Sequence, residues 1–555
     1  MALCSYRHAT LSALGLTLLA AQAVALDIPD AGQTLRTIEQ PAPELPAQPK
    51  LDLVKPQPSA PSSAAQDEAA LRLKVSQIQI TGNTVLSSEQ LLAVLAPLTG
   101  QELTLAQLQQ AARSLSDYYH QQGYFLAYAY LPQQEIKQGT VQITILEGQY
   151  GSVQVNNTAQ LKEAALAPLQ AVQSQAVVKQ QSLEQTLLTL NELNGVIVQS
   201  ALAPGKALGS TDLSVNIQSA RAFSGELSVD NYGNYYTGQY RLNGNVQWHN
   251  PLGLGDKLDA RVLSSNESQF YGRLAWSSQW GRWGTQTGLA YSWMQYQLAE
   301  DFSALDADGQ AQVSSLWLTQ PVLRRRAGSL FVTAQLEQKD FNEDIKLFDQ
   351  NSKKTSQVLS LGLSGTRADS WQGVSSFALN WRYGDLDLRT ATQQQLDAQT
   401  AKAQGSFSAI TANLTRLQSL APAWSVLARL DGQWANKNLD GSEKFSLGGV
   451  YGVHAYPQSE ASGDVGFLMH AALRYAWRPD LQLSTFMDYG QVKMTKNPWA
   501  SGKNHEDLSG TGVGFDWHKY GWQVQSSLAW KLGGTDASSA PDKDVRLWLK
   551  LGYQF

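Results

Sequence analysis

The 555-residue chain is long enough for two or three domains. Its net charge is −5 and only 16% of its residues are charged, so no broad basic surface argues for nucleic acid. Mean hydropathy is negative and no apolar run beyond the extreme N-terminus reaches about 18 residues, which excludes a helical membrane protein. A transmembrane barrel survives that test, because only alternate residues of each strand need be apolar.

Residues 1–25 read as a secretory signal peptide. Arg7 and His8 form a basic start, Leu11 to Ala20 a short apolar run, and Ala21-Gln22-Ala23 and Ala23-Val24-Ala25 offer small-x-small cleavage sites. The one cysteine, Cys4, precedes the apolar run, so the mature chain would have no thiol, and disulfides and cysteine-based metal sites are not expected. Residues 26–70 read as a tether that holds eight of the nineteen prolines, which favour extended chain. Within it, Ala31 to Gln40 reads either as linker or as a short helix with Leu35 and Ile38 on one side.

From Leu71 to Ala220 the pattern is α+β. Val75 to Ile80 alternates as a strand and ends at the turn signal Gly82-Asn83. Ser87 with Gln90, and Thr104 with Gln107, have the spacing of helix capping boxes. The second helix carries Leu105, Leu108, Ala112, Leu115 and Tyr119 and stops at Gly123; strands Leu126 to Leu131 and Thr140 to Leu146 follow. A looser copy comes next: strand Ser152 to Asn156, helices Leu161 to Leu169 and Ser182 to Leu193, and strands Val196 to Leu202 and Asp212 to Gln218. Two β-α-α-β-β units, 71–149 and 150–220, form a repeat.

Everything changes near residue 221. All sixteen tryptophans lie from Trp248 onward, as expected of a barrel with aromatic girdles at the membrane interfaces. Tyr240, Leu242, Val246 and Trp248 share one strand face, against Arg241, Asn243, Asn245 and Gln247 on the other. Val545, Leu547, Leu549, Leu551, Tyr553 and Phe555 alternate in the same way. At about 9–11 residues per strand plus turns, residues 221–555 hold roughly sixteen strands, with about fourteen or eighteen as the alternatives.

Particular motifs then carry a resemblance. Asp230-Asn-Tyr-Gly233, Thr237-Gly238 and Asn250 to Asp256, then Leu447 to Pro457 with Glu460 to Asp464, and finally Phe486-Met-Asp488-Tyr-Gly490, resemble segments of two-partner secretion transporters, the hemolysin and hemagglutinin exporters. The two small units then resemble POTRA domains, with Gly123-Tyr124 and Glu147-Gly148 in place. The resemblance implies a sixteen-stranded outer-membrane β-barrel preceded by two periplasmic POTRA domains. It implies an unfolded secreted exoprotein as partner, captured by strand pairing along POTRA edges and exported without ATP. Chaperones and the barrel-assembly machinery would serve biogenesis, and lipid would surround the wall. A helix from the N-terminal segment would plug the pore, and Ala31 to Gln40 is the candidate.

The resemblance also implies a long loop folded back into the lumen, with a tip at Val453, His454, Ala455 and Tyr456. Its lumen partner would be the strand bearing Phe486, Asp488 and Gly490, and alternation independently puts Asp488 on an inward face. The family has arginine and glycine where this chain has His454 and Ala455. Arginine offers a permanent, forked charge, and histidine is charged only when protonated. Phe555 resembles a C-terminal signal for barrel assembly. The seven histidines show no H-E-x-x-H spacing, no Gly-x-Ser-x-Gly elbow occurs, and Gly510-Thr-Gly-Val-Gly514 lacks a following helix, so neither enzyme nor cofactor is expected. In a strand such glycines ease a bend or close packing. A related insertase, which usually carries more POTRA units, and a passive solute channel are the alternatives.

Overall fold

A computed structural model describes residues 28–40, 53–54 and 72–555; the expected signal peptide and most of the tether lie outside the described residues. Sixteen antiparallel strands, from Phe223–Asp230 to Val545–Gln554, close into a barrel, the first pairing with the last from Glu226↔Gln554 to Asp230↔Lys550. Closure satisfies every wall strand on both sides, the condition for crossing lipid. The alternation holds around it: Leu547, Leu549, Leu551 and Tyr553 are exposed on the outer face, while Arg546 and Trp548 are buried inward. Among the described residues no helix is long and apolar enough to cross a membrane. Strands Ala307–Arg325, Gly328–Ile345, Gln350–Ala368 and Gly373–Leu388 have 16 to 19 residues, more than the about 9–11 a bilayer needs, so they project beyond it.

The first small unit is a sheet in the order Gln77–Thr81, Thr140–Leu146, Tyr128–Tyr130, covered by helices Ser88–Leu95 and Leu105–Gln121. Both expected capping boxes form, at Ser87 with Gln90 and Thr104 with Gln107. Leu108, Ala112, Leu115 and Tyr119 bury the expected helix stripe. An additional ribbon pairs Arg72–Lys74 with Glu102–Thr104, segments too short for alternation to reveal.

The second unit places Gln149–Asn157, Ser210–Ser219 and Val196–Pro204 side by side, with helix Gln180–Asn191 against them. The helix expected at Leu161 to Leu169 is instead a 3₁₀ helix, Glu163–Ala171. Pro168 lies inside it, and a proline lacks the N–H and the room that an α-ladder requires. The tether also differs from a free extended chain. Leu53–Val54 pairs in parallel with Ser200 and Ala201, adding a strand to this sheet's edge.

The second unit docks on the barrel's short-turn end, which explains the Asn250 to Asp256 motif. Lys162 N–H donates to Gly253 O at 2.8 Å and Asn194 N–H to Gly255 O at 3.1 Å. Gly255 has φ +66, and a Cβ there would come 2.8 Å from that of Leu193. Asp256, fully buried, accepts from Leu252 N–H at 3.1 Å and from Trp276 Nε1 at 3.0 Å, fixing the turn. Gln279 Nε2 donates to Thr189 O at 3.0 Å, and Arg324 pairs with Glu192.

Candidate functional site in the barrel lumen

Among the described residues two segments occupy the lumen: the loop 436–464, between strands Trp424–Ala435 and Val465–Arg478, and the helix Ala31–Glu39. Val453, Ala455 and Tyr456 at the loop tip are wholly buried, in one cluster with Leu447, Leu468, Phe486, Val492 and Leu508. Glycines in the wall make the room. A Cβ on Gly510 would stand 2.8 Å from that of Ala455, and one on Gly490 would stand 2.6 Å from a methyl of Leu447. Gly512 leaves space for the Phe486 ring. The glycine run is therefore a packing surface. Lys531 Nζ sits 4.9 Å from the Tyr456 ring centre.

Asp488 is 3% exposed and receives three donors. His454 N–H donates to its Oδ2 at 3.1 Å, and His454 Nδ1 lies 2.8 Å from that same oxygen. His470 Nδ1 lies 2.6 Å from Oδ1. His470 and Asp488 are directly opposed on neighbouring strands, so the wall supplies both and the loop supplies His454. Phe486 lies against both imidazoles, with ring centres 4.6 Å from His454 and 5.7 Å from His470. Trp548 Nε1 donates to His454 O at 2.8 Å. Sequence reading missed His470 and Trp548. His470 has the inward parity of Leu468 and Ala472, while Met469 and Leu473 face out, so strand parity carried its signal. Trp548, 1% exposed, departs from the girdle logic: it serves the lumen.

The helix Ala31–Glu39 forms because Asp30 caps it, accepting from Gln33 N–H at 2.6 Å. Ala31, Leu35 and Ile38 bury one stripe against Tyr271, Met294 and Phe341 of the wall. Lys354 Nζ bridges Asp30 at 2.7 Å and Asp440 of the loop at 2.8 Å. Ala31 N–H donates to Glu343 at 2.9 Å, and Glu39 accepts from Tyr271 and Ser292, both at 2.9 Å. Thr37 Oγ1 is 2.9 Å from Ser459 Oγ of the loop. A Cβ on Gly32 would be 2.6 Å from that of Ser442, so glycine admits the loop there too.

The remaining motif residues close the barrel or brace the first unit. Asp230 pairs with Arg241 Nε at 2.7 Å, and Asn231 imitates a backbone group, donating to Leu547 O and accepting from Leu549 N–H, both at 2.8 Å. Phe555 N–H donates to Gly225 O at 3.1 Å, and its half-exposed ring lies on the outer face. Glu147, 5% exposed, accepts from Thr84 N–H at 2.7 Å, Val85 N–H at 2.9 Å, Tyr119 Oη at 2.8 Å and the Thr84 hydroxyl. Burial pushes its carboxyl up, but those hydrogen bonds outweigh burial and hold it below the ordinary glutamate value.

Comparison with known proteins places this geometry. Residues 209–517 match the family of haemolysin secretion/activation proteins ShlB/FhaC/HecB, and residues 73–148 match the ShlB-type POTRA domain. The chain is 29% identical to the heme/hemopexin transporter protein HuxB of Haemophilus influenzae, over 88% of this chain and 89% of that one. It is 25% identical to the outer membrane transporter CdiB of Dickeya dadantii, over 74% of each. The structure of CdiB from Escherichia coli superimposes with a TM-score of 0.74 at 20% identity, covering 100% of both chains, and so shares the fold. A wall of sixteen strands, a loop and a helix in its lumen, and a matched POTRA unit beneath together make this chain a member of the ShlB/FhaC/HecB family, a two-partner secretion transporter of the outer membrane with its POTRA domains in the periplasm.

Proposed function

We propose that this transporter takes one large secreted protein in unfolded form, pairs it along the strand edges of its periplasmic units, and passes it through the barrel once the lumen helix has left. The observation that carries this reading is the pairing of Leu53–Val54 with Ser200 and Ala201. That edge already accepts an extended segment through backbone hydrogen bonds, which make few demands on side chains and so suit a client of any sequence. The segment belongs to the same tether that leads to the lumen helix, so a client taking its place would free the tether beneath the plug. No nucleotide is needed, because folding of the client outside supplies the direction. HuxB is named for heme and hemopexin transport and another relative, from Serratia marcescens, for hemolysin transport, so cargo differs between relatives. In this reading, periplasmic chaperones deliver the client, Phe555 marks the chain for barrel assembly, and His454 with Asp488 holds the loop tip at rest.

The test is deletion of Leu71 to Ala220. The barrel should still insert, with its heat-dependent gel mobility intact, while export of the secreted partner falls below detection. Normal export by the truncated chain would show that the periplasmic units are not the receptor.

A further inference from the structure

The two imidazoles on Asp488 form more than a substitute for an arginine–aspartate pair. One cation suffices for such a pair, yet His454 and His470 both converge on this carboxylate, each through Nδ1. One ring nitrogen of each histidine and one Asp488 carboxylate oxygen lie within 4.8 Å of one another. Nothing in the sequence spacing suggests this, because one donor comes from the loop and two from adjacent strands.

We infer that His454, His470 and Asp488 form a site for a divalent transition-metal ion, Zn²⁺ by donor chemistry, that fastens the loop tip to the barrel wall. Two imidazole nitrogens, one carboxylate oxygen and a fourth position left to water make a set that zinc accepts. Zinc–nitrogen and zinc–oxygen bonds of about 2.0–2.2 Å put tetrahedral donors roughly 3.3 Å apart. The present spacings, 2.8 Å from His454 Nδ1 to Oδ2 and 2.6 Å from His470 Nδ1 to Oδ1, are hydrogen-bond lengths to two different oxygens, so both rings must shift to set their nitrogens and one shared oxygen around a single ion. His454 belongs to a loop and can supply its share of that movement. On binding, each neutral imidazole gives up its Nδ1 proton and carries one on Nε2 instead, so the rings remain neutral ligands.

The surroundings suit a metal. Asp488 has no exposed side-chain surface, while the rings of His454 and His470 keep 14% and 12% exposure, leaving the fourth position open to the lumen. Phe486 walls the rings on one side, and Trp548 fixes the His454 carbonyl, restricting how far the ligands can stray. An ion here would join the loop to two wall strands through three ligand bonds. This binding is a property of the lumen site and does not depend on which protein is exported.

The test uses the full chain purified in detergent without a polyhistidine tag. Zn²⁺ is titrated by calorimetry, Co²⁺ is followed by its visible absorption, and barrel unfolding is measured with and without Zn²⁺. His470→Gln and His454→Arg each remove one ligand, and arginine keeps a cationic donor for Asp488, so the loop tip retains an anchor. The expected result is one saturable Zn²⁺ per wild-type chain and a higher unfolding temperature with Zn²⁺. In both variants, affinity should fall by more than about 100-fold, the upper range for losing even an outer-shell partner. Absence of stoichiometric binding by the wild type, or equal affinity in wild type and both variants, would overturn the site. Binding that leaves the unfolding temperature unchanged would overturn the fastening role.

Discussion

The loop tip meets the barrel wall with buried apolar side chains fitted to wall glycines, whereas the helix meets it through one narrow apolar stripe and charges at its ends. Val453, Ala455 and Tyr456 are buried, and the wall carboxylate beside them, Asp488, receives three donors. The helix has nine residues, too few to persist alone in water, and its ties at Asp30 and Glu39 can be exchanged for hydration. A close-packed contact is lost outright when it opens, while a polar one is largely replaced by water. The difference supports the proposal above, in which the loop tip stays and the helix leaves. The loop tip reads as part of the wall, and the helix as a removable stopper.

The largest effect should come from Lys354→Met. It strands Asp30 and Asp440 without their shared cation, and breaking such a buried pair costs about 3–5 kcal/mol. Helix occupancy should fall and planar-bilayer conductance should rise, with the barrel still folded; an unchanged closed level would mean that charge does not hold the helix. Asp488→Ala comes next: the His454 N–H loses its acceptor at a cost of about 1–3 kcal/mol, while the partly exposed imidazoles can turn to water. The tip should loosen without releasing the helix. Labelling of Val453→Cys should accelerate in that background, and equal labelling rates would detach Asp488 from the loop's resting position.

Outside the lumen, Glu147→Gln should weaken the first periplasmic unit by about 1.5–3 kcal/mol, the usual worth of hydrogen bonds to a charged group. Because the folded carboxyl is held low, its contribution is complete above the unfolded value and is lost as pH falls through the lower folded one. Protease resistance of that unit in the intact chain should therefore drop in acid for the parent and vary less with pH in Glu147→Gln. Gly510→Val should cost about 1–3 kcal/mol by overpacking Ala455, and Ala455→Gly in the same chain should restore part of it. Thermal unfolding of the double variant decides whether the two contacts are coupled. The smallest effect belongs to the helix cap itself, worth about 1 kcal/mol, which Asp30→Ala removes together with the charge facing Lys354. Asp30→Asn keeps the cap and removes only the charge facing Lys354, so conductance of the two variants separates capping from ion pairing.

Much of this architecture was legible because it repeats. Alternation over Val545 to Phe555 and a helical stripe from Leu105 to Tyr119 are periodic, and periodicity is visible without a fold. The capping boxes at Ser87 and Thr104 are local and were equally readable. What stayed hidden was short or non-local. The pairing of Leu53–Val54 spans two residues, and the 3₁₀ turn at Glu163–Ala171 was read as an α-helix across Pro168. At the site, Asp488 and His454 were singled out through the family motifs, but His470 was not. Its significance depends on which residue lies opposite Asp488 across the strand pair, and register appears only when the barrel closes.

Export as proposed requires the helix to leave the lumen while the loop tip keeps its place. Thr37 and Ser459 present their hydroxyl oxygens 2.9 Å apart, one on the helix and one on the loop. Thr37→Cys with Ser459→Cys, made with Cys4→Ser so that no other thiol is present, would allow the two segments to be joined by oxidation. Secretion of the partner protein should stop when the bond forms and resume when it is reduced, at unchanged levels of transporter in the outer membrane. Equal secretion by the oxidised and reduced forms, with the crosslink verified on gels, would show that the helix need not leave the loop for export.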